Sequence, residues 1–389
     1  MAQVSGHCDE KFQTVQKLFQ KFLEDNDELG ASITVNLDGQ NVVDIWGGYT
    51  DESKTQLWQR DTIVLVMSTT KAITALAALV LIDRGLLDPY SKVSQYWPEF
   101  AANGKGDIEV RHILSHTSGL AGWDERVTHD DLRNFEESAA KLAKQAPWWT
   151  PGTASGYHSV TYGFLVGKLV RQTTGKTLTQ FVAEEIAGPL NADFQIGAAE
   201  KDWPRISKLV FPKTAGPPSV KVGRLAAKVF ANPPMVAGFA ETPEWRKAEI
   251  GSGNGHGNAN GVARMLSAIS LGGVVNGRKL LSPETIDLIF KEQSNGEDLV
   301  TGETFRFGIG YGLTGKNTNL HWLPEGRVCL WGGYGGSITI MDLDRRLTIS
   351  YAMNKFSNVG IGSERTKAYV KAVYSALGVD LDGNGSSDA

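Results

Sequence analysis

The sequence predicts an α+β fold: an antiparallel sheet assembled from both chain ends and flanked by helices, with a mostly helical region between. Three observations point there. Runs of β-type residues gather near the two ends of the 389-residue chain. The stretch between them alternates helical patterns with proline- and glycine-rich loops. The resulting order is helix, strands, helices, strands, helix, which lacks the alternation of a βαβ protein. The predicted sheet region is 1–66 with 250–389, and the predicted helical region is 67–249. No internal repeat is visible.

The elements follow in chain order. Residues 10–25 place Phe12, Val15, Leu18, Phe19 and Phe22 at spacings of three and four, an amphipathic helix. Residues 31–37 and 40–46 are β-rich and are separated by Asp38-Gly39, a hairpin signal. A third strand is expected at 62–66. A long alanine-rich helix then spans 68–84, closed by Gly85. Helices are predicted at 130–145, 159–173 and 178–187, whereas the proline-rich 201–250 carries no assignment. A helix is expected at 260–271, after the glycine-rich run 251–257. Strands return at 327–330, 337–342 and 347–353, and a last helix spans 364–377.

Composition excludes several classes of function. The chain is 41% hydrophobic and 21% charged with a net charge of −4, ordinary for a globular protein. No lysine or arginine stripe suggests nucleic acid, and no basic amphipathic segment suggests a membrane surface. Residues 1–26 lack the apolar core of a secretory signal. The longest apolar stretch, 72–82, is about eleven residues, against the ~20 needed to span a bilayer. Cys8 and Cys329 imply no disulfide framework. A cytoplasmic protein is expected. Its seven histidines (His7, His112, His116, His129, His158, His256 and His321) show no metal-ligand spacing. The Gly251–Gly261 run lacks the G-K-[ST] ending of a nucleotide loop. The tail 380–385 matches only the first half of a calcium loop and is expected to be a disordered polar end. Neither a metal nor a cofactor is expected, and the sequence assigns no oligomeric state.

Chemistry gathers at Ser68-Thr69-Thr70-Lys71, where strand 62–66 gives way to the long helix. Serine and lysine three apart share one helix face. The helix start aims free N–H groups and partial positive charge at the serine. That equips a serine nucleophile with a base beside it. S-x-x-K alone is a weak signal. Here the lysine heads an apolar run, so it is either snorkelling or functional. Tyr157 follows the turn Pro151-Gly152-Thr153 and precedes a helix. It is either a packed aromatic or a phenol whose pKa the Lys71 charge lowers, able to take the Ser68 proton. Trp331-Gly332-Gly333-Tyr334-Gly335-Gly336 is either a glycine-rich hairpin or an edge strand whose N–H joins that of Ser68 in an oxyanion hole. Trp148, beside Trp149, either packs in the core or lines an acyl pocket. No serine sits in G-x-S-x-G. The nearest variant, 268–272, lies in a helical pattern, so a nucleophile elbow is not expected.

Together these segments resemble the serine β-lactamase and penicillin-binding-protein superfamily. The resemblance runs from about residue 10 to 378. It rests on Ser68-Thr-Thr-Lys71, on Arg111-His-Ile-Leu-Ser-His116-Thr-Ser-Gly119-Leu120, on Pro151-Gly-Thr153 with Tyr157-His-Ser159, and on Gly255-His256-Gly-Asn258. Where that group usually has Lys/His-Thr-Gly, this chain has Trp331-Gly332-Gly333. That replacement is similar to family VIII carboxylesterases, and it removes the cation that steadies a substrate carboxylate. The resemblance implies a β-lactamase/transpeptidase-like fold with the active site in a cleft between the two regions. It implies Ser68, Lys71 and Tyr157 as catalytic residues and the N–H groups of Ser68 and Tyr334 as the oxyanion hole. Ser159, Trp331, Gly332, Gly333, Trp148 and His256 are the expected substrate-binding positions. Tyr157, partly ionised by Lys71, would take the Ser68 proton. The implied activity is serine hydrolysis of carboxylic esters of small apolar acids through an acyl-enzyme, with a small-molecule ester as partner. The alternatives are an acyltransferase with an alcohol or amine acceptor, a weak β-lactamase or D-amino-acid peptidase, and an inactive binding homologue.

Overall fold

The computed structural model describes residues 3–212, 222–234 and 238–381. Most of the calcium-loop-like tail and parts of the unassigned 201–250 stretch lie outside them. The chain opens with β1 (Ser5–Cys8), the Gln13–Glu24 helix, β2 (Gly30–Leu37) and β3 (Gln40–Gly48). Asp38 and Gly39 join β2 to β3 at φ of 50° and 87°, the left-handed pair that a tight hairpin requires. Next comes β4 (Val64–Leu65), and the insert supplies β5 (Phe194–Ile196). Then follow β6 (Gly255–Gly257), β7 (Val274–Val275), β8 (Arg278–Lys279) and β9 (Ser294–Glu297). The last strands are β10 (Thr304–Phe307), β11 (Gly312–Leu313), β12 (Val328–Gly332), β13 (Ile338–Asp342) and β14 (Leu347–Met353).

Nine strands form one antiparallel sheet in the order β1-β3-β2-β14-β13-β12-β11-β10-β9. The two chain ends meet at its centre, where β14 runs against β2 from Leu347↔Leu37 to Met353↔Ala31. All seven residues of β14 are buried, so both faces of the sheet are covered. Strand periodicity tells which helix covers which face. Tyr351 meets Tyr369 of the Glu364–Ala376 helix, with ring centroids 5.3 Å apart. Thr348, on the other face, bonds Ser270 of the Ala259–Ser270 helix at 2.8 Å. On the first face the buried Glu28 carboxylate takes hydrogen bonds from Arg365 and Tyr351, both at 2.5 Å, which ties the last helix to the first hairpin.

One expectation is corrected. The predicted third strand, 62–66, does not enter the large sheet. Only Val64–Leu65 is a strand, and it pairs with β6 in a separate three-stranded sheet ordered β4-β6-β5. Part of the glycine run 251–257 is accordingly strand. Glycine is required at 255, where a Cβ would stand 2.5 Å from the Phe194 ring and 2.6 Å from the Thr70 hydroxyl. Sequence reasoning did not assign β9 to β11, which span only four, four and two residues.

This arrangement delivers β4 into the Thr70–Asp83 helix, whose first twelve residues are all buried. A helix apolar on every side belongs in the interior. It packs against the Thr161–Thr174 helix of the insert. Its first turn therefore lies where β12, β6 and the 155–160 loop converge. Among the described residues no helix is long and apolar enough to cross a membrane.

Candidate active site

Ser68 sits in a 3₁₀ turn, Met67–Thr69, and the α-helix begins at Thr70. Met67, just before it, holds φ of 48°, a left-handed conformation that costs a residue with a Cβ about 1–2 kcal/mol. Neighbouring hydroxyls hold the turn. Thr70 Oγ1 donates to the Met67 carbonyl at 2.5 Å and accepts the Gly255 N–H at 2.8 Å. Ser337 Oγ donates to the Val66 carbonyl at 2.9 Å and lies 2.9 Å from Thr69 Oγ1. The two threonines between Ser68 and Lys71 thus lace the Ser68 turn to β6 and to Ser337, just before β13. Sequence reasoning assigned them no role.

Lys71 is buried, and its Nζ has three neighbours: Ser68 Oγ at 3.1 Å, the Ser159 carbonyl at 2.8 Å and the Ser252 carbonyl at 2.7 Å. A neutral amine has two N–H donors and one lone pair. The two carbonyls take the donors, which leaves the lone pair facing the serine hydroxyl. Burial favours that form, because it holds the Lys71 pKa well below its ordinary value. Ser159, expected among the substrate-binding residues, acts here through its carbonyl. The Ser252 carbonyl was not anticipated.

Tyr157 is also buried. Lys71 Nζ lies 4.7 Å from its ring centroid, over the π face. Burial pushes the phenol up to about 12. The nearby Ser68 hydroxyl and Trp331 work the other way and are outweighed, while the Asp298 charge adds to the rise. The expected Lys71-stabilised phenolate is therefore corrected. Burial favours the neutral phenol as it favours the neutral amine, because both have been taken out of water.

The third wall is the end of β12. Gly333 packs on the nucleophile turn, and its N–H donates to the Ser337 carbonyl at 2.8 Å. A Cβ there would lie 2.3 Å from the Val66 carbonyl oxygen and 2.5 Å from Ser337 Oγ. Gly332 faces the interior instead, where a Cβ would lie 3.0 Å from the Ser337 carbonyl and 3.3 Å from Ile361. Among the described residues no backbone carbonyl accepts the N–H of Ser68 or of Tyr334. Both donors are available to an oxyanion. Gly333→Ala is expected to push this edge off the Ser68 turn and to lower kcat about 10²-fold, the usual cost of one lost oxyanion donor. Steady-state kinetics beside a thermal melt would check it, the melt showing that the fold survives.

Three expected substrate-binding residues stand elsewhere. Trp331 is not an open indole wall. It is buried among Tyr157, Phe307 and Phe305, with centroids 5.4, 5.3 and 5.7 Å away. Trp148 hydrogen bonds Asp124 at 2.9 Å and carries Lys228 over its ring at 3.8 Å. Its neighbour Trp149 is the one that braces the Tyr157 loop, donating to the Ala154 carbonyl at 2.9 Å. His256 is buried in β6, 3.1 Å from the Asn254 carbonyl and paired with Leu65 and Gln195 across the small sheet. Nothing brings it to Ser68.

His116 and His158 are structural. His116 Nδ1 accepts the His158 N–H at 3.1 Å. The His158 ring spans the Gly156 carbonyl and the Ser118 hydroxyl, both at 2.6 Å. Burial lowers His116 far below its ordinary pKa, His158 to about 3 and His256 to about 4. The unfolded chain binds protons on these imidazoles below about pH 6.5 while the folded protein does not, so stability falls as pH drops through that value. His158 and His256 are each expected to cost roughly 1.5 kcal/mol between pH 6.5 and 5. Urea unfolding at the two pH values checks this; equal stabilities would contradict it.

Known proteins share this architecture. The profile of the family described as Beta-lactamase matches residues 15–374. An esterase/beta-lactamase, LipL of Mycobacterium tuberculosis strain H37Rv, is 31% identical over 369 residues, 90% of this chain and 83% of its own. The crystal structure of a family VIII carboxylesterase superposes with a TM-score of 0.90 at 34% identity, covering 96% of this chain and all (100%) of that one. A penicillin-binding-protein homologue from Caulobacter crescentus superposes at 0.88, again at 34% identity over 96% of this chain and 100% of its own.

Proposed function

This chain belongs to the Beta-lactamase family, and from that premise we propose that it is a serine hydrolase cleaving carboxylic esters of small apolar acids through an acyl-enzyme. The observation that carries the proposal is Lys71. With two donors occupied by carbonyls, its amine stands 3.1 Å from Ser68 Oγ, placed to take the proton as Ser68 attacks. The N–H groups of Ser68 and Tyr334 receive the developing oxyanion. The neutral Tyr157 hydroxyl, beside Ser68, passes a proton to the leaving alcohol and is replenished from Lys71. Water then attacks the acyl-enzyme with the same amine as base.

Esters are favoured over carboxylated lactams because the residue in the motif place of the family's cation, Trp331, offers no charge to a substrate carboxylate. It is apolar and packed among aromatic rings. Short-chain p-nitrophenyl esters assayed beside nitrocefin test the reading. The expected result is a higher kcat/KM for the ester, and a preference for nitrocefin would overturn it. Product analysis with an added acceptor alcohol separates hydrolysis from acyl transfer.

A further inference from the structure

Tyr157 is held from behind by a residue that the family motifs do not contain. Asp298 follows β9 and opens the turn to β10, and its side chain is fully buried. One carboxylate oxygen, Oδ1, accepts four hydrogen bonds. They come from the backbone N–H of Tyr157 at 3.1 Å, of Val300 at 3.0 Å and of Thr301 at 2.9 Å, and from the Thr301 hydroxyl at 3.3 Å. The turn is closed on itself by Asp298 N–H to the Glu303 carbonyl and Gly302 N–H to the Asp298 carbonyl, both at 2.8 Å. It also grips the Tyr157 loop a second time, where Leu299 N–H donates to the Ser155 carbonyl at 2.9 Å. The other oxygen, Oδ2, is buried with no hydrogen-bond partner. Solvation of the carboxylate is thus concentrated on the oxygen that holds Tyr157.

We propose that Asp298 is a positioning residue for Tyr157: its buried Oδ1 fixes the Tyr157 backbone, and through it the place of the phenol between Ser68 and Trp331. The inference rests on the role given to Tyr157 above. The loop needs such an anchor. Residues 155–157 belong to no helix or strand, and the Tyr157 N–H is buried 141 positions away from its acceptor in sequence. Without the acceptor, the N–H must find another partner, and the loop must move to do so. Displacing a reacting group by about 1 Å costs up to ~10²-fold in rate. The negative charge of Asp298 also favours the protonated phenol, in keeping with the neutral Tyr157 of the proposed mechanism.

Three variants of the full chain separate the hydrogen bond from the charge. Asp298→Asn keeps an acceptor oxygen under the three backbone N–H groups and removes the charge. Asp298→Glu keeps the charge and shifts the oxygen by a methylene. Asp298→Ala removes both. Active sites are first counted by stoichiometric labelling with a fluorophosphonate, and kcat per labelled site and KM are then measured by titrating the acid released from ethyl butyrate, whose alkoxide must be protonated as it leaves. The expected result is Asn within about threefold of wild type, and Glu and Ala at least about tenfold lower in kcat per site, with KM within about threefold throughout. A residue that merely stabilises the fold would lower the number of labelled sites and leave kcat per site unchanged. That outcome, or Asn impaired as much as Glu, overturns the proposal. If Ala leaves no folded protein, the Asn and Glu pair decides. An ester-hydrolysing wild type that is labelled away from Ser68 overturns the assignment of the site itself, a different failure from a per-site kcat indifferent to Asp298.

Discussion

Ser68→Ala is expected to abolish ester turnover, with kcat reduced by at least about 10⁴-fold. The magnitude follows from what the substitution leaves behind. The oxyanion donors are backbone groups and survive it. So do Lys71 and Tyr157, but no atom remains to form the acyl bond. Residual rate must then come from water attacking a bound and polarised ester, which oxyanion stabilisation and binding alone accelerate modestly. The protein should stay folded, because the turn is held by Thr69, Thr70 and Ser337 rather than by the Ser68 hydroxyl. Kinetics with a p-nitrophenyl ester, beside a circular dichroism spectrum, check both halves. A variant retaining a tenth of wild-type turnover would remove Ser68 from the mechanism.

Lys71→Arg is the second large effect, and the conservative substitution is the informative one. A guanidinium keeps the charge and several donors but does not lose its proton near neutral pH. If Lys71 acted only as a fixed cation, arginine would retain much of the activity. Because burial and the two carbonyl acceptors favour the free amine, arginine is expected to lose about 10²–10⁴-fold in kcat, the contribution of a positioned base. The same amine sets the pH dependence. Activity requires the unprotonated form, so the rate falls as pH drops through the folded-state pKa of Lys71, which burial places well below the ordinary lysine value. Ser68→Ala combined with Lys71→Arg should be no slower than Ser68→Ala alone, since the two residues act as one unit.

The sequence made the nucleophile and its lysine legible because their spacing on a helix start is local. The same holds for the Asp38-Gly39 hairpin, the Leu347–Met353 strand and the last helix, whose patterns lie within one element. What it did not make legible depends on contacts between distant segments. Nothing local places the Ser252 carbonyl on Lys71, 181 residues apart, or Ser337 on the Ser68 turn. Nor does a glycine-rich run announce that β6 pairs with β4. The misjudged ionisation of Tyr157 has the same origin. A lysine near a tyrosine in sequence logic is a charge that lowers the phenol pKa. In the fold both are buried, the amine meets the ring face, and desolvation favours the neutral phenol. Trp148, Trp331 and His256 were drawn toward the substrate by motif position, yet their side chains settle in packing and hydrogen bonds that position alone does not reveal.

The central claim is that an ester's acyl group passes through Ser68. It is tested most directly by quenching the enzyme in acid during turnover of an activated ester and mapping the modified peptide by mass spectrometry. The account predicts one acyl group, on the peptide that carries Ser68 and on that residue. Turnover with no acylated enzyme at any time after mixing, or an acyl group on a different side chain, would contradict it.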